Sequence, residues 1–155
     1  MLSQLFEYRK HVAKMLELLG DSPEAAASGA DTVLRIETKL AEASRTPVQL
    51  RDREKQYNKL TASKLAALTP QVDWALYFKT AAIAEPADVI VGQPEFLTRL
   101  NELLGSVPAA DWRTYLRWHV VHSMAPYLSS KFENEDFASA LSLAATVIEY
   151  SMFAG

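Results

Sequence analysis

Residues 33–74 read VLRIETKLAEASRTPVQLRDREKQYNKLTASKLAALTPQVDW, and this stretch decides the fold. Its first part has helical periodicity up to Ser44. Thr46 to Lys59 then breaks the pattern: Pro47 restarts the chain, five charges follow from Arg51 to Lys55, and Tyr57-Asn58 closes the segment. Thr61 is placed to cap a short helix over 62–68, because a threonine hydroxyl accepts from amides of the first turn. That helix stops before Pro70, since the residue preceding a proline is pushed out of helical geometry. Asp73 caps the next helix, whose Trp74, Tyr77, Phe78 and Ala81 make an aromatic stripe read as core.

Working outward, Ser3 to Leu19 carries Leu5, Phe6, Val12, Leu16 and Leu19 at helical spacing. Gly20 is the stop, and Ser22-Pro23 restarts a helix with serine as cap and proline in the first turn. Val33, Leu34, Leu40 and Ala41 form the expected buried edge of this second helix, and Gly29 sits inside it at some cost in helix propensity. The two helices are expected to lie antiparallel, given so short a join. Glu37 falls on the buried side, where a carboxylate is costly unless paired. Either it accepts from Arg51 or the connector amides and holds the loop to the helix, or it lies on the shoulder of the stripe and stays solvated.

Toward the C-terminus, Asp88-Val-Ile-Val-Gly92 is the one good strand signal, β-branched and bounded by Pro86 and Gly92. With no evident second strand, it reads as an extended link or as pairing outside the chain. Pro94 opens a helix stopped by Gly105. Pro108 opens another, with Trp112, Tyr115, Leu116, His119, Val120 and Tyr127 on one side and Pro126 ending or kinking it. A last helix is expected from Lys131 to Met152. The fold class is therefore mainly all-α, an antiparallel array of about six to seven helices with at most one short extended segment near 88–92.

Composition narrows the function classes. The chain has 155 residues, 49% apolar and 23% charged, with 16 basic and 19 acidic side chains interleaved to a net charge of −3. That balance suits a folded core and gives no phosphate-binding face, so nucleic acid is not an expected partner. The absence of cysteine excludes disulfides, thiolate metal sites and thiol nucleophiles. The opening MLSQLFEYRKHV does not read as a secretory signal, because charge appears by Glu7. The run 137–155 holds one charge, Glu149, yet is rich in Ala, Ser and Thr; a buried or interface helix is expected rather than a membrane span.

The chemistry-bearing constellations are sparse. His119 and His122 stand three apart, whereas the His-Glu-x-x-His peptidase signature needs four, with a glutamate general base between them. His119 is expected in the core, bonded to a carbonyl. Ser63 and Ser123 lack a recognisable triad, and the five glycines form no phosphate loop. Glu133 and Asp136 suit the first turns of the last helix. No catalytic, cofactor-binding or metal-binding residue is assigned, and the chain alone is expected to be inactive. The residues given a structural role are Glu37, Arg51, Asp52, Tyr57 and Asn58.

An ordered set of signals nevertheless carries a family resemblance. Val33-Leu-x-Ile-Glu-x-x-Leu-Ala41 is followed by Arg51-Asp52, Tyr57-Asn58-Lys-Leu-Thr61 and Pro70-x-x-Asp-Trp74. Val89-Ile-Val91, Gln93-Pro-Glu-Phe-Leu97 and Tyr115-Leu-x-Trp118 come after these. From Tyr8 to about Phe137 the chain resembles the helical N-terminal domain of the neprilysin and endothelin-converting-enzyme family of zinc metallopeptidases. The resemblance implies a helical cap (1–137) closing over a thermolysin-like catalytic domain, in a chamber that admits peptides and excludes folded proteins. It implies zinc held in that other domain by His-Glu-x-x-His and a further glutamate, none of which this sequence contains. It further implies action outside the cytoplasm by the parent enzyme. The tail 138–155 departs from the family pattern. The expected partner is the catalytic domain, or a second copy, through exposed apolar faces; peptides are substrates only of the full enzyme. The alternative is a free-standing helical interaction module.

Overall fold

The structure, a computed structural model, describes residues 2–140. In chain order it contains α1 (Leu2–Leu18), α2 (Pro23–Ala43), a 3-10 turn (Gln49–Arg51), α3 (Arg53–Gln56), β1 (Asn58–Thr61), α4 (Ala62–Leu68) and α5 (Trp74–Thr80). Then come β2 (Asp88–Val91), α6 (Pro94–Ser106), α7 (Ala109–Met124), a second 3-10 turn (Ala125–Tyr127) and α8 over 130–140. The mainly all-α expectation holds. The part of the expected last helix beyond 140, with most of the tail 138–155, lies outside the described residues.

Local signals place most boundaries. Gly20 adopts φ +102°, and the Asp21 amide donates to the Leu16 carbonyl five residues back, the left-handed close that glycine makes without a Cβ penalty. Ser22 Oγ accepts from the Ala25 amide at 3.3 Å, Thr61 caps α4 through the Lys64 amide, and Asp73 caps α5 through the Leu76 amide at 2.9 Å. Helix α6 runs one residue past Gly105, to Ser106. Among the described residues, no helix is long and apolar enough to cross a membrane.

The chain forms two compact units, one from Met1–Glu37 and Pro108–Gly155 and the other from Thr38–Val107. In the first, Val12, Met15 and Leu16 of α1 meet Ala26, Ala30 and Val33 of α2 and Trp118 and Val121 of α7, all buried, and Ala125 belongs to the same cluster. Small residues on α2 allow a close approach: a Cβ on Gly29 would stand 2.7 Å from Leu16 Cδ1, so any larger residue there would require the buried Leu16 side chain to shift. Ile36, not singled out by periodicity, is fully buried, whereas Ala41 is exposed.

The buried face of α7 differs from the expected one. Trp118 and Val121 are inside, while Leu116, Val120 and Tyr127 are 58, 63 and 80% exposed. Tyr115, from the expected face, packs partly against the same cluster, so the buried edge of α7 is rotated toward Trp118 and Val121 rather than lying along Leu116 and Val120.

In the second unit, Leu65, Phe78 and Val91 are buried against Leu60, Trp74, Val89 and Leu97. The extended segment at 88–91 does have a partner within the chain, contrary to expectation. It pairs antiparallel with β1 in the register Asn58↔Val91 to Thr61↔Asp88. The sequence NKLT of β1 has a single β-branched residue, and Thr61 doubles as the cap of α4, so its strand character comes from pairing rather than propensity.

Candidate functional site

The connector singled out from sequence is a braced loop. Arg51 closes the first 3-10 turn. Asp52 caps α3, accepting from the Lys55 amide at 3.3 Å, and its carboxyl is held below the ordinary value chiefly by Lys55. Tyr57 ends α3 and is 62% exposed. Asn58 Nδ2 donates to the Lys55 carbonyl at 2.9 Å and to the Val91 carbonyl at 3.0 Å, joining the connector to β2.

The residue that gathers this unit was not among those singled out. Arg45, with a side chain only 17% exposed, forks onto Glu95 in the first turn of α6, its Nη2 donating to Oε2 at 3.0 Å and its Nε to Oε1. Its Nη1 donates to the carbonyls of Lys55 at 2.8 Å and Gly92 at 3.0 Å. One planar guanidinium thus ties the connector, the end of β2 and the start of α6, a geometry that lysine cannot reproduce. The sequence signal for it was Glu95 just after Pro94, in a first turn where a carboxylate is already favoured.

The Arg45 hydrogen bonds hold the Glu95 carboxyl below its ordinary value of 4.5. A depressed carboxylate stabilises the fold above its unfolded pKa, and that contribution disappears as pH falls through the lower, folded value. Acid titration from pH 6 to 3 is therefore expected to lower the stability of the wild-type chain more than that of Glu95→Gln, read from urea midpoints at each pH. Parallel curves would remove this account of the pair.

Beside this brace, Leu65, Trp74, Phe78, Val91, Phe96 and Leu97 line an apolar groove of about 370 Å³. Phe78 is core as expected, while Tyr77 is 53% exposed. Trp74 is anchored by its Nε1, which donates to the buried Thr69 hydroxyl at 2.8 Å.

Glu37 lies in the first unit, where its Oε1 accepts from the Tyr8 hydroxyl of α1 at 2.8 Å. Trp118 Nε1 donates in turn to that hydroxyl at 3.1 Å. Burial, and then the Glu37 carboxylate, push the Tyr8 hydroxyl well above its ordinary value, so it remains a neutral donor. This chain of donors satisfies a buried indole and a half-buried carboxylate together.

His119 is not in the core. Its side chain is 44% exposed, and its Nε2 stands 3.6 Å from Glu37 Oε1. The buried histidine is His11 of α1, 5% exposed, to which periodicity gave no distinction. His122 stacks on Trp118 at 4.9 Å between ring centroids and directs Nδ1 to Asp136 Oδ1 at 3.2 Å. His119 and His122 therefore face different carboxylates. They do not fit the catalytic zinc of a His-Glu-x-x-His peptidase.

The sequence model for the N-terminal part of peptidase family M13 matches residues 3–147. An endothelin-converting enzyme homolog of Locusta migratoria is 29% identical over 141 residues, covering 84% of this chain and 19% of that protein. Endothelin-converting enzyme 1 of Homo sapiens is 26% identical over 134 residues, covering 83% of this chain and 17% of that protein. The Mycobacterium tuberculosis zinc metalloprotease Zmp1 in complex with an inhibitor superposes with a TM-score of 0.86 at 30% identity, over 90% of this chain and 22% of that one. Its open state gives 0.83 at 32% identity, over 89% of this chain and 22% of that one. The chain spans about a fifth of the length of the relatives it matches.

Proposed function

Because this chain belongs to peptidase family M13 and matches its N-terminal part, we propose that it serves as the non-catalytic helical wall of a zinc metalloendopeptidase. The wall restricts the substrates of the full enzyme to peptides, and the zinc is held by a catalytic domain outside these 155 residues. The observation that carries the reading is the match over 3–147 together with the absence of His-Glu-x-x-His from the sequence. Surface composition supports it: Leu116, Val120 and Met124 form an exposed apolar row on α7, the kind of face that meets another domain. The occupant of that face is the catalytic domain of the same enzyme, in keeping with the fraction of the relatives this chain spans.

The test has two arms. The 155-residue chain, supplied with zinc and a quenched fluorescent peptide, is expected to show no hydrolysis. Grafted in place of the matching segment of the M. tuberculosis metalloprotease, it is expected to support peptide cleavage while sparing a folded protein. Chelator-sensitive turnover by the chain alone, or a folded but inactive graft, would overturn the reading. The exposed row on α7 also suits a second copy; a stable dimer that Val120→Lys dissociates would favour an interaction module instead.

A further inference from the structure

Where α1, α7 and α8 meet, three potential metal ligands converge: His11, His122 and Asp136 each direct one ligand atom to within 4.8 Å of the others. His122 Nδ1 lies 3.2 Å from Asp136 Oδ1, and His11 Nε2 lies 3.8 Å from the same oxygen. Tetrahedral ligands at about 2.0–2.1 Å from a zinc ion stand about 3.3 Å apart. The first separation already matches, the second needs about half an ångström of closure, and the two histidine nitrogens, within 4.8 Å of each other, would draw together as well.

His11 supplies the independent observation. Its ring is 5% exposed, and its Nε2 is buried without a hydrogen-bond partner among the described residues. Its Nδ1 lies 3.1 Å from Glu135 Oε1, a carboxylate that can only accept, so the proton on Nδ1 is donated there. Nε2 of that tautomer carries a lone pair, directed at a second carboxylate. A cation placed between this buried nitrogen and the partly exposed Asp136 carboxylate would satisfy both. A carboxylate bonded to the far nitrogen of an imidazole is also how metal-bound histidines are oriented and made more basic. Trp118, stacked on His122, fixes the other ring.

We infer that His11 Nε2, His122 Nδ1 and Asp136 form a binding site for one divalent transition metal of the zinc class, with Glu135 as the orienting residue for His11. Two imidazoles and a carboxylate, with water as the fourth ligand, are a set that zinc accepts. The site pins α8 to α1 and α7. It is independent of the peptidase reading, because it needs no catalytic domain and performs no hydrolysis.

The test uses the 155-residue chain, freed of metal by a chelator and titrated with zinc chloride against a colorimetric indicator. One zinc per chain is expected, with a rise in melting temperature. His122→Ala and Asp136→Ala, at side chains 50 and 28% exposed, are expected to abolish stoichiometric binding. Glu135→Gln is expected to weaken it about tenfold, and His119→Ala to leave it unchanged. Histidine nitrogen NMR of the wild-type chain needs no substitution: zinc is expected to shift His11 Nε2 and His122 Nδ1. No bound zinc, binding that survives both ligand substitutions, or shifts confined to His119 would each overturn the assignment.

Discussion

Trp118→Ala is expected to cost about 3–5 kcal/mol, the range for truncating a large buried aromatic. The indole is 1% exposed within the cluster built from α1, α2 and α7. Its removal leaves a cavity among Val12, Met15, Leu16 and Val33, and also takes away the donor to Tyr8 and the platform under His122. Against a typical domain stability of about 5–15 kcal/mol, that loss is a large share of the total. Urea unfolding followed by circular dichroism measures it. Leu116→Ala, two residues away but 58% exposed, is the control and is expected to change stability by less than about 0.5 kcal/mol. Equal effects from the two substitutions would mean that the buried face of α7 is wrongly assigned.

Arg45→Ala is expected to destabilise the second unit by about 2–3 kcal/mol, through the loss of several charge-assisted hydrogen bonds. The Glu95 part is discounted, because that carboxylate is 49% exposed and well screened. The larger share comes from the Lys55 and Gly92 carbonyls, which lose a common donor. Arg45→Lys is expected to recover less than half, since one ammonium cannot fork onto Glu95 and reach both carbonyls. Amide hydrogen exchange at β1 and β2 should rise in both variants. Full recovery by lysine would show that charge alone matters there.

What sequence made legible was local. Gly20, Ser22, Thr61, Asp73 and Pro94 act within a turn of their own position, and each boundary they imply is found within one residue. The order of short signals around the connector was enough to identify the family, because spacing along the chain survives where identity is low. What stayed illegible depends on partners distant in sequence. β1 is a strand only because Asp88–Val91 lies beside it. Which edge of α7 is buried is set by contact with α1 and α2, where Trp118 and Val121 join their cluster. Arg45 meets Glu95, and His11 meets Glu135 and Asp136, across separations that no periodicity reports.

The division into a continuous unit and a discontinuous one bears on how the protein is made. The stretch 38–107 is a compact unit continuous in sequence and can collapse once it has left the ribosome. The helices before it must wait for α7, since Met15 and Leu16 find Trp118 only after that whole stretch has been synthesised. Until then the apolar stripe of α1 is covered only where α2 meets it, and closing so long a loop slows the rest of its burial. The interval between translation of α1 and of α7 is thus the period in which the nascent chain is most open to chaperones and to aggregation.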